Sequence, residues 1–289
     1  MLFNQFFSGL IYGALLFVIA SGLVLTFGAL RILNLAHASL YMLAAYMTYS
    51  LVRLFPEGPF YFFLVMFVAS VLTALLGVLI EVLLLRRIYQ AEELLQLVLT
   101  FGVVWILSDV VRGGWGVGFH AVPRPRFLSG SFTILGYTSP MYNLLILIAA
   151  VAVALGIWFL LYRTNAGIVI RAMTDDPEMS SSLGINIPMW RTMIFALGSG
   201  LAGLSGVLAT PLASLGLGMD AKVLNDLFIV IIIGGMGSFP GAMIGAFILG
   251  QLNAFGVLII PKLALIFGFL AMAIVLLIRP WGLLGRPEE

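Results

Sequence analysis

Apolar runs of about 18 residues or more recur along most of this 289-residue chain, and no other feature restricts its fold as strongly. A run of that length makes a helix long enough to cross a hydrocarbon core of about 30 Å. With two shorter stretches included, the spans read from the sequence fall at 6–28, 37–54, 60–85, 94–111, 141–162, 191–212, 223–237, 240–256 and 262–279. The fold class expected is an all-α polytopic membrane protein with eight to ten transmembrane helices, nine favoured, forming a single domain over 1–289. Charge agrees with this reading. Only 9% of residues are charged, against about 25% in an ordinary soluble domain. The opening MLFNQFFSGL lacks a basic n-region, so it reads as a retained first helix rather than a cleaved signal.

The stretch 223–256 would extend about 51 Å as one helix, too long for the bilayer. "GGMGSFPG" (Gly234–Gly241) places four glycines and a proline where it must bend, so two shorter helices, which need not be full spans, are expected there. Irregular backbone at membrane depth must be buried in protein or line a cavity. Gly234, Gly235, Gly237 and Ser238 are therefore candidates for a solute path. Gly237, Gly241 and Gly245 fall four apart, as do Gly9 and Gly13, a spacing that lets helices approach closely in lipid.

Basic residues orient the chain. With the 163–190 loop in the cytoplasm, Arg31, Arg86, Arg87, Arg163, Arg171, Arg191, Arg279 and Arg286 lie inside. Arg53, Arg112, Arg124, Arg126, Lys222 and Lys262 lie outside. That majority puts the N-terminus outside and the C-terminus inside. The 112–140 segment is then the largest periplasmic loop. Its "SFTILGYTS" suits a short hairpin, and its Trp115 and Phe119 suit the headgroup level. It either docks an external partner or lies on the membrane as a connector.

One loop carries unusual charge for such a chain: Arg171 to Glu178 holds four charged residues in eight. Asp176 is a good N-cap, Pro177 fits the first helical position, and Glu178 favours the positive end of the helix dipole. Gly184 supplies a left-handed stop. About seven helical residues remain, roughly 10 Å, too few to be stable alone in water. Such a helix must pack on its own protein or in a groove on another, or be a plain surface turn.

Glu178 and Gly184 hold the first and seventh positions of E-A-A-x-x-x-G, the pattern of the helix by which ABC importer permeases contact their ATPases; Met179 and Ser180 replace the two alanines. The segment "GLIYGALLFVIASGLVLTFGALRILNLAHASLYMLAAYM" (Gly9–Met47) resembles the first two helices of LivH-type branched-chain amino acid ABC permeases. "LSGSFTILGYTSPMYN", "NAGIVIRAMTDDPEMSSSLGIN", "IGGMGSFPGAMIGAFILG" and the ending "RPWGLLGRPE" resemble that family in the same order. The resemblance implies a transport subunit of the bacterial inner membrane. It further implies a second related permease in a heterodimer, two cytoplasmic ATPases that hold ATP and Mg, and a periplasmic substrate-binding protein. No cofactor is expected on this chain itself. By the same resemblance Asp175, Asp176, Pro177, Glu178 and Gly184 form the ATPase-coupling site.

Other chemistry finds little support. Lys222 and Lys262 follow Ala and Pro, so no Walker A loop exists, and no G-x-S-x-G elbow appears. No catalytic residue is assigned. The chain has no cysteine and two histidines, without metal-ligand spacing, so no metal site is expected. A net charge of +2 does not point to nucleic acid. Asn34 and His37, three apart on one helical face just before the second span, either contact solute or tie a helix start to its neighbour. Glu81 and Asp109 lie near span ends, where water reaches them. Asp226, four residues after Lys222, sits near a helix start. No chain of acids crosses the bilayer, which disfavours a proton-coupled carrier. The open alternatives are an importer permease for urea, short amides, aromatic acids or small carboxylates; an ATP-independent channel or carrier; and a non-transporting scaffold.

Overall fold

A computed structural model describes residues 2–89, 91–134 and 137–285. Every apolar run named above carries a helix. The order is α1 (Leu2–Leu30), α2 (Ala36–Leu54), α3 (Pro59–Leu83), α4 (Glu93–Trp115), β1 (Ser131–Ile134), β2 (Tyr137–Pro140) and α5 (Met141–Arg163). Then come α6 (Asn165–Asp175), α7 (Pro177–Ser182), α8 (Ile187–Ala209), α9 (Met219–Gly234), α10 (Phe239–Ile259) and α11 (Ala264–Ile278). Among the described residues, six helices are long and apolar enough to cross a membrane: α1, α3 with the 3-10 turn that follows it, α4, α5, α8 and α10. The shorter α2, α9 and α11 complete nine helices at the nine expected places. α10, with 21 residues, is long enough to span, whereas α9 has only 16.

Burial sorts the helices into a core and a lipid-facing layer. α1, α2 and α8 lie inside, with α3 and α9 packed on one or more of them; α10 joins α1 and α9, and α4 and α5 lie further out. α3, α4 and α5 present Phe67, Leu75, Val98, Trp105, Val151 and Phe159 outward. That face suits acyl chains, since exposed apolar side chains cost nothing in hydrocarbon. The 112–140 segment forms the expected antiparallel hairpin, Phe132 opposite Ser139 and Thr133 opposite Thr138. Its helix α4 continues to Trp115, past the expected end at 111, and the Trp115 indole N–H donates to Ser50 Oγ at 2.7 Å.

Glycine sets how close the inner helices come. A Cβ on Gly13 would strike the Ala246 carbonyl, one on Gly250 the Gly9 carbonyl, and one on Gly245 the Val230 carbonyl. The four-residue glycine spacing is thus used between α1 and α10 and between α9 and α10, within this one chain. α8 does the same on its other faces: Gly206 lies on the Tyr41 carbonyl of α2, and Gly203 on Ser70 and Thr73 of α3.

Candidate functional site

The charged loop folds as the sequence dictates at its centre. The Asp176 carboxylate accepts the Met179 N–H at 2.9 Å, Pro177 opens α7, and the six-residue helix stops at Gly184, whose φ is +86°. The Gly184 and Ile185 N–H groups donate back to Ser181 and Ser180 at 2.9 and 3.1 Å, closing the orphan carbonyls of the last turn. Glu178 lies in the first turn, and Asp175 is the last residue of α6. Four of the five coupling candidates, Asp175 to Glu178, are therefore contiguous at the start of α7, and the fifth, Gly184, ends it. Replacing Asp176 by alanine is expected to cost about 1 kcal/mol of local helix stability, visible as faster amide exchange over α7 alone.

The loop holds more structure than the short helix expected. α6 precedes α7, capped by Thr164, whose Oγ accepts the Gly167 N–H at 3.2 Å. Its buried face, Gly167, Ile170 and Met173, recurs every three residues, a signal legible in "TNAGIVIRAMTD". Ile170 and Met173 cluster with Leu25 and Ala29 of α1 and Ile187 and Ile194 of α8. α7 is thus held against the transmembrane bundle through α6 and α8, while Met179 (59%) and Leu183 (74%) are left exposed at its tip.

Asn34 and His37 sit at a second break in the helical backbone. The His37 Nε2–H donates to the Ile19 carbonyl at 3.0 Å, and its ring lies against Gly22. Ile19 is eleven residues, about 16 Å, from the end of α1. Residues 31–35 double back alongside α1 over about the same distance, so α2 begins beside the middle of α1 rather than beyond its end. Asn34 is not on the helical face expected for it. It lies in the returning segment between α1 and α2, where its Oδ1 accepts the Ala36 N–H at 3.1 Å. Ile32, Asn34 and His37 are all buried, as non-helical backbone at depth requires. His37→Ala should lower stability by about 1–3 kcal/mol through the orphaned Ile19 contact and the cavity left beside Gly22, read as a lower thermal midpoint in detergent.

The Gly234–Ser238 turn joins α9 to α10. Gly235 and Gly237 take φ of +101° and +79°, and Ser238 Oγ accepts the Gly241 N–H at 3.1 Å as the cap of α10. Leu283 and Leu284 N–H donate to the Ile233 and Gly234 carbonyls at 2.9 and 3.0 Å. The chain end therefore covers the Gly234–Gly235 side of the turn, while Met236 and Gly237 stay exposed.

Two acids differ from their expected surroundings. Asp226 is buried, well inside α9, and accepts the Tyr12 hydroxyl of α1 at 2.6 Å. Glu81 is fully buried rather than reached by water. It accepts the Thr192 hydroxyl at 2.7 Å, the Tyr89 hydroxyl at 2.8 Å and the Arg86 guanidinium at 3.3 Å. Burial, with the hydrogen bond to Glu81, raises the Tyr89 phenol well above its ordinary value, so it stays a donor. Asp109 remains exposed and pairs with Arg112 at 3.6 Å. Among the described residues no cluster of three or more His, Cys, Asp or Glu gathers to hold a metal.

Comparison with known proteins agrees on one family. The family model described as "Branched-chain amino acid transport system / permease component" matches residues 5–278. A high-affinity branched-chain amino acid transport system permease protein, BraD of Pseudomonas aeruginosa, is 29% identical over 99% of this chain and 96% of its own length. The LivH permease protein of the corresponding system of Escherichia coli is 27% identical over 99% and 96%.

Proposed function

Because the chain belongs to the branched-chain amino acid transport permease family, we propose that it is the permease subunit of an ATP-driven importer moving branched-chain or other hydrophobic amino acids across the bacterial inner membrane. Family membership implies ATPase and binding-protein partners. The finer composition proposed is one related permease in a heterodimer, two cytoplasmic ATPases and one periplasmic binding protein. ATP and Mg are held by the ATPases, and solute is delivered by the binding protein.

The observation that carries the coupling role is α7 itself. A six-residue helix is unstable alone, yet this one is capped at both ends, joined to α8 and backed by the α6 cluster, with Met179 and Leu183 exposed at its tip. Those two side chains suit a groove on an ATPase, and the rigid caps let a push on α7 reach α1 and α8 without being lost in loop motion. In this reading the 163–190 segment faces the cytoplasm and the 112–140 hairpin the periplasm. The breaks at 31–35 and 234–238 mark where helix ends can shift to open a path.

Reconstitution of the assembled complex in liposomes tests the function. Leucine uptake is expected to need ATP and the loaded binding protein together. Uptake of urea, short amides or aromatic acids in place of leucine corrects the solute and leaves the permease role standing. Robust flux through this chain alone, without ATPases, overturns the role in favour of a carrier or channel.

A further inference from the structure

α3 and α8 interlock along much of their length. Gly203 sits against Ser70 and Thr73, and Gly200 faces Ala74; a Cβ on Gly77 would strike the Ser199 hydroxyl. Glycine packing fixes their spacing and leaves sliding along the shared axis opposed only by shape. At the end next to the α6–α7 loop, polar chemistry adds a lock. The fully buried Glu81 carboxylate receives Thr192 from α8, Tyr89 from the corner after α3 and Arg86 from the same corner. The Arg86 guanidinium also donates to Thr192 Oγ, and the Arg191 guanidinium lies over the Tyr89 ring, 4.8 Å from its centroid. Among the described residues, the side-chain hydrogen bonds between α8 and this corner all converge on Thr192.

Thr192 is also on the helix that follows α7 directly, and so lies in line to receive a push from it. Asn186 caps α8, its Oδ1 accepting the Met189 N–H at 3.1 Å, and Thr192 follows about 9 Å along the same rigid helix. A buried carboxylate is held in register by its donors, because sliding would strand a desolvated charge without them. The cleft beside it, about 440 Å³ and lined by Arg86, Asn186, Pro188, Met189, Thr192 and Met193, leaves open space on one side of the joint.

We propose that Glu81, Thr192 and Tyr89 form a joint that makes α3 and α8 move as one body, so that displacement of α7 reaches α3 and is converted into transport. The proposal rests on the reading of α7 as the ATPase-contacting helix. Glu81 and Thr192 are positioning residues: they touch neither solute nor nucleotide, and act by fixing α8 to α3.

Thr192→Val removes the hydroxyl at constant shape, and Thr192→Ser restores it. Both are measured in the reconstituted complex, with ATP hydrolysis and solute uptake recorded on the same vesicles. Thr192→Val is expected to retain hydrolysis stimulated by the loaded binding protein while solute moved per ATP falls about five-fold. Thr192→Ser should hold the wild-type ratio. Tyr89→Phe, which deletes the second hydroxyl from outside the helix, should lower the ratio in the same direction and serves if Thr192→Val fails to accumulate. An unchanged ratio in Thr192→Val and Tyr89→Phe, or an equal loss in Thr192→Ser, overturns the joint. Gly184→Val run in parallel separates the two layers. If it uncouples while the joint variants do not, the joint is wrong and α7 keeps its role; if none uncouples, both fall.

Discussion

Gly206→Leu is expected to remove most of the assembled protein from the membrane. A side chain there would collide with the Tyr41 carbonyl and the Ala44 side chain, both on the central helix α2. Neither neighbour can yield cheaply. Tyr41 and Ala44 are buried, and α2 is in turn anchored through His37 to Ile19 and through Ser39 to Asp220, the latter at 2.7 Å. Overpacking a closed core costs about 1–3 kcal/mol even where rotamers can shift, and a backbone carbonyl cannot rotate away without breaking its own helix. The loss should reach or exceed about 3 kcal/mol, read as a lower thermal midpoint and reduced abundance. Gly102→Leu is the matched control, because nothing lies within 4 Å of a Cβ on that helix face. Normal abundance of Gly206→Leu would mean that α2 and α8 do not pack as described.

Gly184→Val is expected to act on function rather than on assembly. Its φ of +86° suits glycine, and a β-branched residue held there is strained by about 1–3 kcal/mol. The space around Gly184 is open, so the strain is relieved by unwinding the end of α7 and not by disturbing the bundle. Uptake should fall about ten-fold or more at unchanged abundance, with ATP hydrolysis persisting, since a strain of that size disfavours the docked helix by about that factor. Undiminished uptake at wild-type abundance would remove Gly184 from the coupling site.

The helices themselves were legible because lipid leaves little freedom: long apolar runs, glycines at a spacing of four and a Gly-Pro break each have one physical consequence. The cap of α7 was legible for a similar reason. Asp176, Pro177 and Gly184 act on backbone groups within a few residues, so their geometry is local. What the sequence concealed is long-range. Glu81 near a span end reads as hydrated, yet Thr192, more than a hundred residues away, closes over it. Asn34 and His37 read as two residues on one helical face, because no periodicity shows that α2 starts partway along α1. Asp226 has Lys222 at helical spacing, but it also accepts the Tyr12 hydroxyl of a distant helix. α6 was within reach, given its three-residue apolar repeat behind Thr164; the charges of Arg171, Asp175 and Asp176 masked it as loop.

The most direct measurement uses the chain's lack of cysteine. Met179→Cys places a single thiol on the exposed tip of α7 in an otherwise thiol-free permease. In the intact complex this thiol, alkylated by a maleimide that carries a photoreactive group, is expected to cross-link to the ATPase on illumination, and the free thiol to resist an impermeant maleimide added outside whole cells. Labelling from outside, or a reactivity that is the same with and without the ATPase, would contradict the account.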